Sequence, residues 1–530
     1  MAQTQRNMSL TGSPSVTMSK EEKWGSALGT MGLGILVLAL FNATVAYHGV
    51  LLTASLLLIT AGIVVFAYGQ YAHENEGIKN DAQWFRSLTA RGLWGWVLAI
   101  FLTGFYVVLY FYAELLGLGT NGAANTGLVA LFDPLSQLLA GRPASQWFVY
   151  GTLYTLGIFA FGIKFIWKYR HDNYEVIRTG SVMFFQTTFA FLIPEIMYRL
   201  NNDIPYYDLK NVWPLNYYLF EKWNIDAFLV NGSVGLTMLL WGIVSIFIIT
   251  PILTYKYGKR WYCSWVCGCG GLAETVGDPF RHLSNKKQWT WELERWLVHI
   301  VLVFAVVNTV GLVHGYLGDD SSRYWLNKDN FLIGVSIFLT LLFTLIMVFK
   351  REELAKDAKL GAVGFLLIIL AFVGIHFLSQ TDTLFFFESA TYKKVYGFAI
   401  GAIFSGVIGT GFYPILGNRS WCRFGCPMAA ILGMQQRLFS KFRITTNGGQ
   451  CISCGNCSNS CEMGIDVRAY AQKGENIVRS SCVGCGICSA VCPRGVLKLE
   501  NGPLDGRIDS KSVLLGNDVD LMNYVNNNKQ

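Results

Sequence analysis

The sequence predicts an all-α polytopic membrane bundle of about ten transmembrane helices, followed by a small α+β module near the C-terminus. Three observations carry this reading. Of 530 residues, 52% are hydrophobic and 14% charged, against about 25% charged in an ordinary soluble domain. Runs of about twenty apolar residues, long enough to cross a hydrocarbon core, recur up to residue 416. Twelve of the thirteen cysteines fall in four tight groups and none precedes Cys263. That distribution suits metal sites in a reducing compartment and not a secreted disulfide framework.

The elements follow in order. A polar segment, 1–27, expected in the cytoplasm, precedes apolar runs at 28–47, 50–69, 93–114, 147–167, 181–199 and 232–255. These form an N-terminal membrane region, 28–255, of about six helices. The first two runs leave only Tyr47-His48-Gly49 for a hairpin, so a single tilted span is the alternative. The loop 256–295 carries the first cysteine pair. Runs at 296–316, 330–349, 360–379 and 395–416 form a second membrane region, 296–416, of about four helices. Segment 417–445 carries the second cysteine pair, 446–500 is the cysteine-dense module, and 501–530 is a polar tail. Lys and Arg concentrate in 1–27, 256–295, 350–359 and the other connections on that side, so the positive-inside rule puts both cysteine loops and the module in the cytoplasm. The protein is therefore expected in the cytoplasmic (inner) membrane, surrounded by lipid. The net charge of +8 does not point to nucleic acid, because the basic residues are spread between apolar segments and form no single patch with interleaved aromatics.

The strongest motif is at 451–492. Cys451, Cys454, Cys457 and Cys461 form C-x2-C-x2-C-x3-C, and Cys482, Cys485, Cys488 and Cys492 repeat it ahead of Pro493. A 4Fe–4S cubane needs four thiolates, and in such paired runs the fourth cysteine of each run serves the other cluster. The expected sets are Cys451, Cys454, Cys457 with Cys492, and Cys482, Cys485, Cys488 with Cys461. Gly455, Gly484 and Gly486 let the backbone turn closely around the clusters. Zinc is the weaker reading, because zinc sites use two cysteine pairs separated by a longer loop. Residues 446–500 closely resemble the bacterial two-cluster ferredoxins.

Two further pairs each follow a predicted span. Arg260-Trp261-Tyr262-Cys263-Ser264-Trp265-Val266-Cys267 and Arg419-Ser420-Trp421-Cys422-Arg423-Phe424-Gly425-Cys426-Pro427 look like an internal repeat. A four-residue spacing puts both thiols of a pair on one helix face, so Cys263, Cys267, Cys422 and Cys426 are expected to share a third 4Fe–4S cluster. A redox dithiol, a zinc site or replacement of one ligand by Cys269 are the competing readings. With these motifs, residues 240–500 resemble the membrane polyferredoxin group typified by NapH, NosR and CcoG. The departure is that Gly268 and Cys269 follow Cys267 where that group has proline.

Ten spans exceed what a tether needs, since one helix or a lipid would suffice. A quinone site, a transmembrane redox path or docking of partner subunits are the expected additions. Glu195 lies at membrane depth and is a proton-relay or quinone-site candidate, with an interfacial, capped carboxylate as the alternative. His314 and His376 lie near the same membrane face. Lone membrane histidines usually hydrogen-bond locally, so a haem b held by this pair is the lesser reading. Lys164, Lys168 and Arg170 are expected to snorkel to headgroups. Gly397-x-x-x-Gly401, with Gly406 and Gly409, is expected to let the last span pack closely on a neighbour. The chain has no GxGxxG after a strand, no phosphate-binding GxxxxGK[ST] and no nucleophile with a base partner, so nicotinamide and hydrolase chemistry are unsupported and no catalytic residue is assigned. The expected function is electron transfer as a subunit of a respiratory or photosynthetic complex. It would connect a soluble cytoplasmic electron carrier with membrane quinone or a redox partner. The resemblance to CcoG implies an alternative, a metal-reducing factor that matures a membrane oxidase.

Overall fold

The computed structural model describes residues 18–42, 47–72, 89–201, 206–319, 326–379 and 388–501, with two short strands beyond them. Among these residues nine helices are long and apolar enough to cross a membrane: α1 (Lys20–Leu40), α2 (His48–Tyr71), α3 (Leu93–Phe111), α4 (Gln146–Lys168), α5 (Asn173–Leu200), α6 (Gly232–Tyr257), α7 (Gln288–Gly318), α8 (Lys328–Phe349) and α9 (Ala358–Ser379). The tenth expected span is α10, in which the helix Ser389–Tyr396 runs on into a π-wound stretch, Gly397–Ile408. The chain is a multi-pass helical membrane protein with a small mixed module at its C-terminal end.

The first two runs are separate helices and not one tilted span. Helix α1 starts at Lys20, earlier than residue 28, because a capping box holds its polar first turn: the Glu22 amide donates to Ser19 and the Ser19 amide to Glu22. The pair α1/α2 touches backbone to backbone through small residues. A Cβ on Gly25 would lie 2.5 Å from the Phe66 nitrogen, and Ser55 Oγ donates to the Gly32 carbonyl at 2.8 Å.

Three helices change winding in mid-span. Phe185–Leu192 in α5, Ser245–Ile249 in α6 and Gly397–Ile408 in α10 are π-helical, a geometry that is frequent at functional sites. The glycines of α10 seat aromatic rings: Tyr217 comes within 2.8 Å of where a Gly401 Cβ would be, and Tyr110 within 2.8 Å of one on Gly406.

The C-terminal module is closed by β1 (Phe442–Thr446) and β2 (Leu497–Asn501), antiparallel with Phe442 opposite Asn501 and Thr446 opposite Leu497. Its core residues Phe442, Ile444, Val467, Ile477 and Leu497 are buried in one apolar cluster with Cys263, Cys267, Cys422 and Cys426. The module is therefore packed onto one end of the bundle. The Tyr174 hydroxyl donates to the Gly484 carbonyl at 2.9 Å, Ser264 to Val483 at 2.9 Å and Gln436 to Cys482 at 2.8 Å. This coverage corrects the snorkelling expected at the end of α4. Lys168 is buried and pairs with Asp278 at 2.6 Å, Arg170 donates to the Tyr71 carbonyl at 2.6 Å, and Lys164 is buried beneath the Tyr71 ring. Protein, and not headgroups, lies over that helix end.

Candidate iron-sulfur sites

Each ferredoxin-like run winds around a void. Gly455, Gly484 and Gly486 take φ of +80°, +63° and +92°, conformations that only glycine adopts without strain. A Cβ on Gly484 would also strike Arg260 at 2.7 Å. The first void is lined by Cys451, Cys454, Cys457 and Cys492, and the second by Cys461, Cys482, Cys485 and Cys488. Each thus draws three thiols from one run and one from the other. Four thiols facing one void, walled by Val496 and Leu497 in the first and by Ile444, Ile477 and Val483 in the second, are the donor set a cubane requires.

The two cages sit differently. In the first cage Cys454 is exposed, Cys451 and Cys492 are half-buried and Cys457 is buried, whereas in the second Cys482 and Cys488 are buried and Cys461 and Cys485 half-buried. Burial pushes Cys457 of the first cage and Cys461 of the second alike up to about 11, and pushes Cys482, Cys485 and Cys488 up as well. Binding metal as thiolates requires these protons to leave.

The two upstream pairs converge. Cys263, Cys267, Cys422 and Cys426 are all buried in one cluster, with Cys269 packed beside them. The expectation that each pair lies on one helix face is corrected. Cys263 ends a short helical turn, Arg260–Cys263, and Cys267 is the N-cap of the next helix, Gly268–Thr275. Cys422 likewise sits in Ser420–Phe424, and Cys426 caps Pro427–Phe439 and accepts from the Ala429 amide at 3.4 Å. The chain turns between the two cysteines so that the second occupies a helix N-terminus, where free amides and the helix dipole favour a thiolate, although at Cys426 burial outweighs this and pushes the thiol well up. Gly268 takes the first helical position that Pro427 takes in the repeat, and a Cβ there would lie 2.6 Å from the Gln186 side-chain oxygen of α5. A hydrogen bond from Cys269, against the opposing effect of burial and with help from Lys210, brings Cys267 down to about 6, while burial holds Cys263 up to about 12.

A buried charge network that the sequence reading did not find joins this site to the second cage. Glu462, next to Cys461, accepts from Arg281 at 2.7 Å, from Arg419 at 2.9 Å and from Asn418 at 3.0 Å. Arg419 also pairs with Glu274, donates to the Cys263 carbonyl at 3.2 Å and reaches Cys422 Sγ at 3.6 Å. Arg281 continues to Asp278 at 2.7 Å. Glu274, Glu462 and Cys485 offer ligand atoms within 4.8 Å of one another. Arg178, Arg281 and Arg419 already neutralise those carboxylates, so the group reads as a charge network and not as a further cation site. Of the repeated arginines only Arg419 enters it, whereas Arg260 lies over the Phe442 and Tyr174 rings.

The remaining candidates lie elsewhere. Glu195 is buried and pairs with Arg142 at 3.4 Å near the far end of α5. His314 and His376 do meet, their rings packed edge to face with centroids 4.9 Å apart.

Comparison with known proteins points to the same segments. Residues 450–497 match the family described as 4Fe-4S dicluster domain, and residues 239–287 and 396–445 both match the family described as 4Fe-4S binding domain. The doubled match falls on the two cysteine pairs. The chain is 25% identical over 248 residues to YccM of Escherichia coli (strain K12), whose name proposes a role in electron transport. That similarity covers 46% of this chain and 52% of YccM, so the chain spans about half the length of the curated relative it matches. No solved structure matches it significantly. Both the paired-cysteine segments and the C-terminal module are thus similar to iron–sulfur-binding regions.

Proposed function

We propose that this protein carries electrons between a soluble cytoplasmic carrier and the membrane, through three 4Fe–4S clusters. Cys451, Cys454, Cys457 and Cys492 hold the first, Cys461, Cys482, Cys485 and Cys488 the second, and Cys263, Cys267, Cys422 and Cys426 the third. The observation that carries the reading is the graded placement of the cysteines. A cage with one exposed cysteine is followed by one with none, and Glu462 and Arg419 tie the second cage to a buried four-cysteine site among the helices. The 4Fe–4S domain matches and the name of YccM support it. Bound clusters supply one-electron transfer. The chain's own residues hold them, exclude water from the second and third, and keep the module seated on the bundle.

In this reading the module faces the cytoplasm of a cell whose inner membrane holds the bundle, as the distribution of Lys and Arg requires. The membrane end of the path serves quinone or a partner subunit of a redox complex. Anaerobically purified protein should contain about twelve iron atoms, four per cubane, and Cys422→Ser should remove about four of them while sparing the module's signals. An iron content of about eight, unchanged by Cys263→Ser or Cys422→Ser, would overturn the third cluster. A reporter fused after Gln530 should be active only in the cytoplasm, and activity on the other side would overturn the orientation.

A further inference from the structure

Residues 206–221, in the connection between the far ends of α5 and α6, do not stay at the surface. The Tyr206 hydroxyl donates to the Ala190 carbonyl, and Ala190 lies ten residues before the end of α5 at Leu200, about 15 Å along the helix axis. Trp241 Nε1 donates to the Leu209 carbonyl at 2.8 Å, and Trp241 lies about 14 Å inside α6 by the same rise. At its lowest point the Lys210 carbonyl accepts from the Tyr262 hydroxyl at 3.0 Å, beside Cys263. The Lys210 ammonium lies 3.1 Å from where a Gly268 Cβ would stand, next to Cys267. The segment then climbs again. Leu219 packs on Gly242, and Glu221 pairs with Lys393 at the start of α10. Irregular backbone at membrane depth persists only where protein surrounds it or it serves a site, and an ionisable side chain there is costly without a function or a partner. Asp208 is the partner, 3.1 Å from the Lys210 ammonium.

We propose that this re-entrant segment exists to place Lys210 as a fixed positive charge against the Cys267 edge of the third site, where it raises that cluster's reduction potential. Reduction adds a negative charge, and a nearby cation in a low-dielectric interior stabilises the reduced state. Lys210 is a positioning residue and not a ligand: it arrives from the connection on the opposite side of the bundle, so the environment of the third site depends on both faces of the protein. The inference rests on the third-cluster reading.

The test is an anaerobic redox titration of the full-length protein, followed by electron paramagnetic resonance, with iron measured on each sample. Lys210→Gln should move the third cluster's midpoint to a more negative value and leave the module's two unchanged, at a full complement of about twelve iron atoms. Lys210→Arg should restore it towards the wild-type value. Asp208→Asn, which removes the countercharge and keeps the cation, should move the midpoint the opposite way, a sign that mere loosening of the segment would not give. Unmoved midpoints in Lys210→Gln and Asp208→Asn at full iron would overturn this inference alone. A wild-type chain with about eight iron atoms and no third signal would overturn the third-cluster reading, and this inference with it.

Discussion

The two cages of the C-terminal module share one spacing and differ in setting. Both runs read C-x2-C-x2-C-x3-C, yet Cys454 of the first is exposed, while the second is enclosed by Tyr174, Ser264, Gln436 and the Glu462 network. Spacing decides which thiols can share a cubane, because that is a matter of loop length. The setting decides solvent access, hydrogen bonds and nearby charge, which are the levers on potential. Two motifs that look equivalent in sequence are thus suited to different tasks. In the proposed path the open cage would meet the soluble carrier, and the enclosed one would hand on to the helices.

The largest effects should come from breaking each cage in turn. Cys454→Ser should abolish the exposed cluster and Cys461→Ser the enclosed one, each lowering the iron content by about four atoms. Cys461 is nearer in sequence to the first set, so the second result separates crossed from uncrossed ligation. Loss of the exposed cluster in Cys461→Ser, with the enclosed signal retained, would show that each run holds its own cubane.

A smaller effect is expected from the charges that seal the enclosed cage. Glu462→Gln leaves Arg281 with Asp278 and Arg419 with Glu274, but removes the carboxylate both arginines share. Breaking a buried pair costs about 3–5 kcal/mol, and the retained partners put this change near the lower end. The enclosed cluster should then be lost at a lower temperature than in the wild type, with the exposed cluster unaffected. An identical thermal profile for both clusters in the variant and the wild type would remove the network from the account.

What the sequence made legible was local. Apolar runs revealed the spans, and each cage needs only short loops with glycine at fixed points. The convergence of Cys263, Cys267, Cys422 and Cys426 was legible through repetition, but their helix-capping geometry was not: the four-residue spacing suggested one helix face, and the turn between the two cysteines of each pair breaks it. The capping box at Ser19 and Glu22 could have placed the start of α1, but hydropathy drew attention to the apolar part. Glu274, Glu462 and Arg281 carried no pattern: single charges beside cysteines look like solvated loop residues until tertiary packing brings them together from positions far apart in the chain. Lys210 was harder still. A segment with Tyr, Asp, Lys and Trp reads as an ordinary polar connection, and nothing local says that it turns back into the bundle.

The cages should also differ in their exposure to reagents. In the wild type an iron chelator should strip the exposed cluster first, roughly tenfold faster, which corresponds to about 1.4 kcal/mol of extra opening free energy for the enclosed one. Glu462→Gln should narrow that ratio. Equal stripping rates in the wild type would mean that the contacts around the second cage do not protect it.

The smallest expected effect is that of pH on this protection, and its direction follows from Asp278. Burial pushes the Asp278 carboxyl up, but Lys168 at 2.6 Å and Arg281 at 2.7 Å pull harder, and it ends well below the usual carboxylate range. A carboxyl whose folded value is depressed contributes stability that is fully present above its unfolded value of about 3.9 and is lost only as pH falls through the folded value. Glu462 is also lowered: burial raises it, and Arg281 and Arg419 outweigh that. Both carboxylates therefore stay charged throughout pH 5 to 8, and the part of the enclosed cage's chelator resistance that depends on these two should be flat across that window. Asp278→Asn should reduce the resistance by a similar factor at every pH. A titration of wild-type resistance with a midpoint between pH 5 and 8, abolished in Asp278→Asn, would show that this carboxyl titrates near neutrality and that the cations beside it do not hold it ionised.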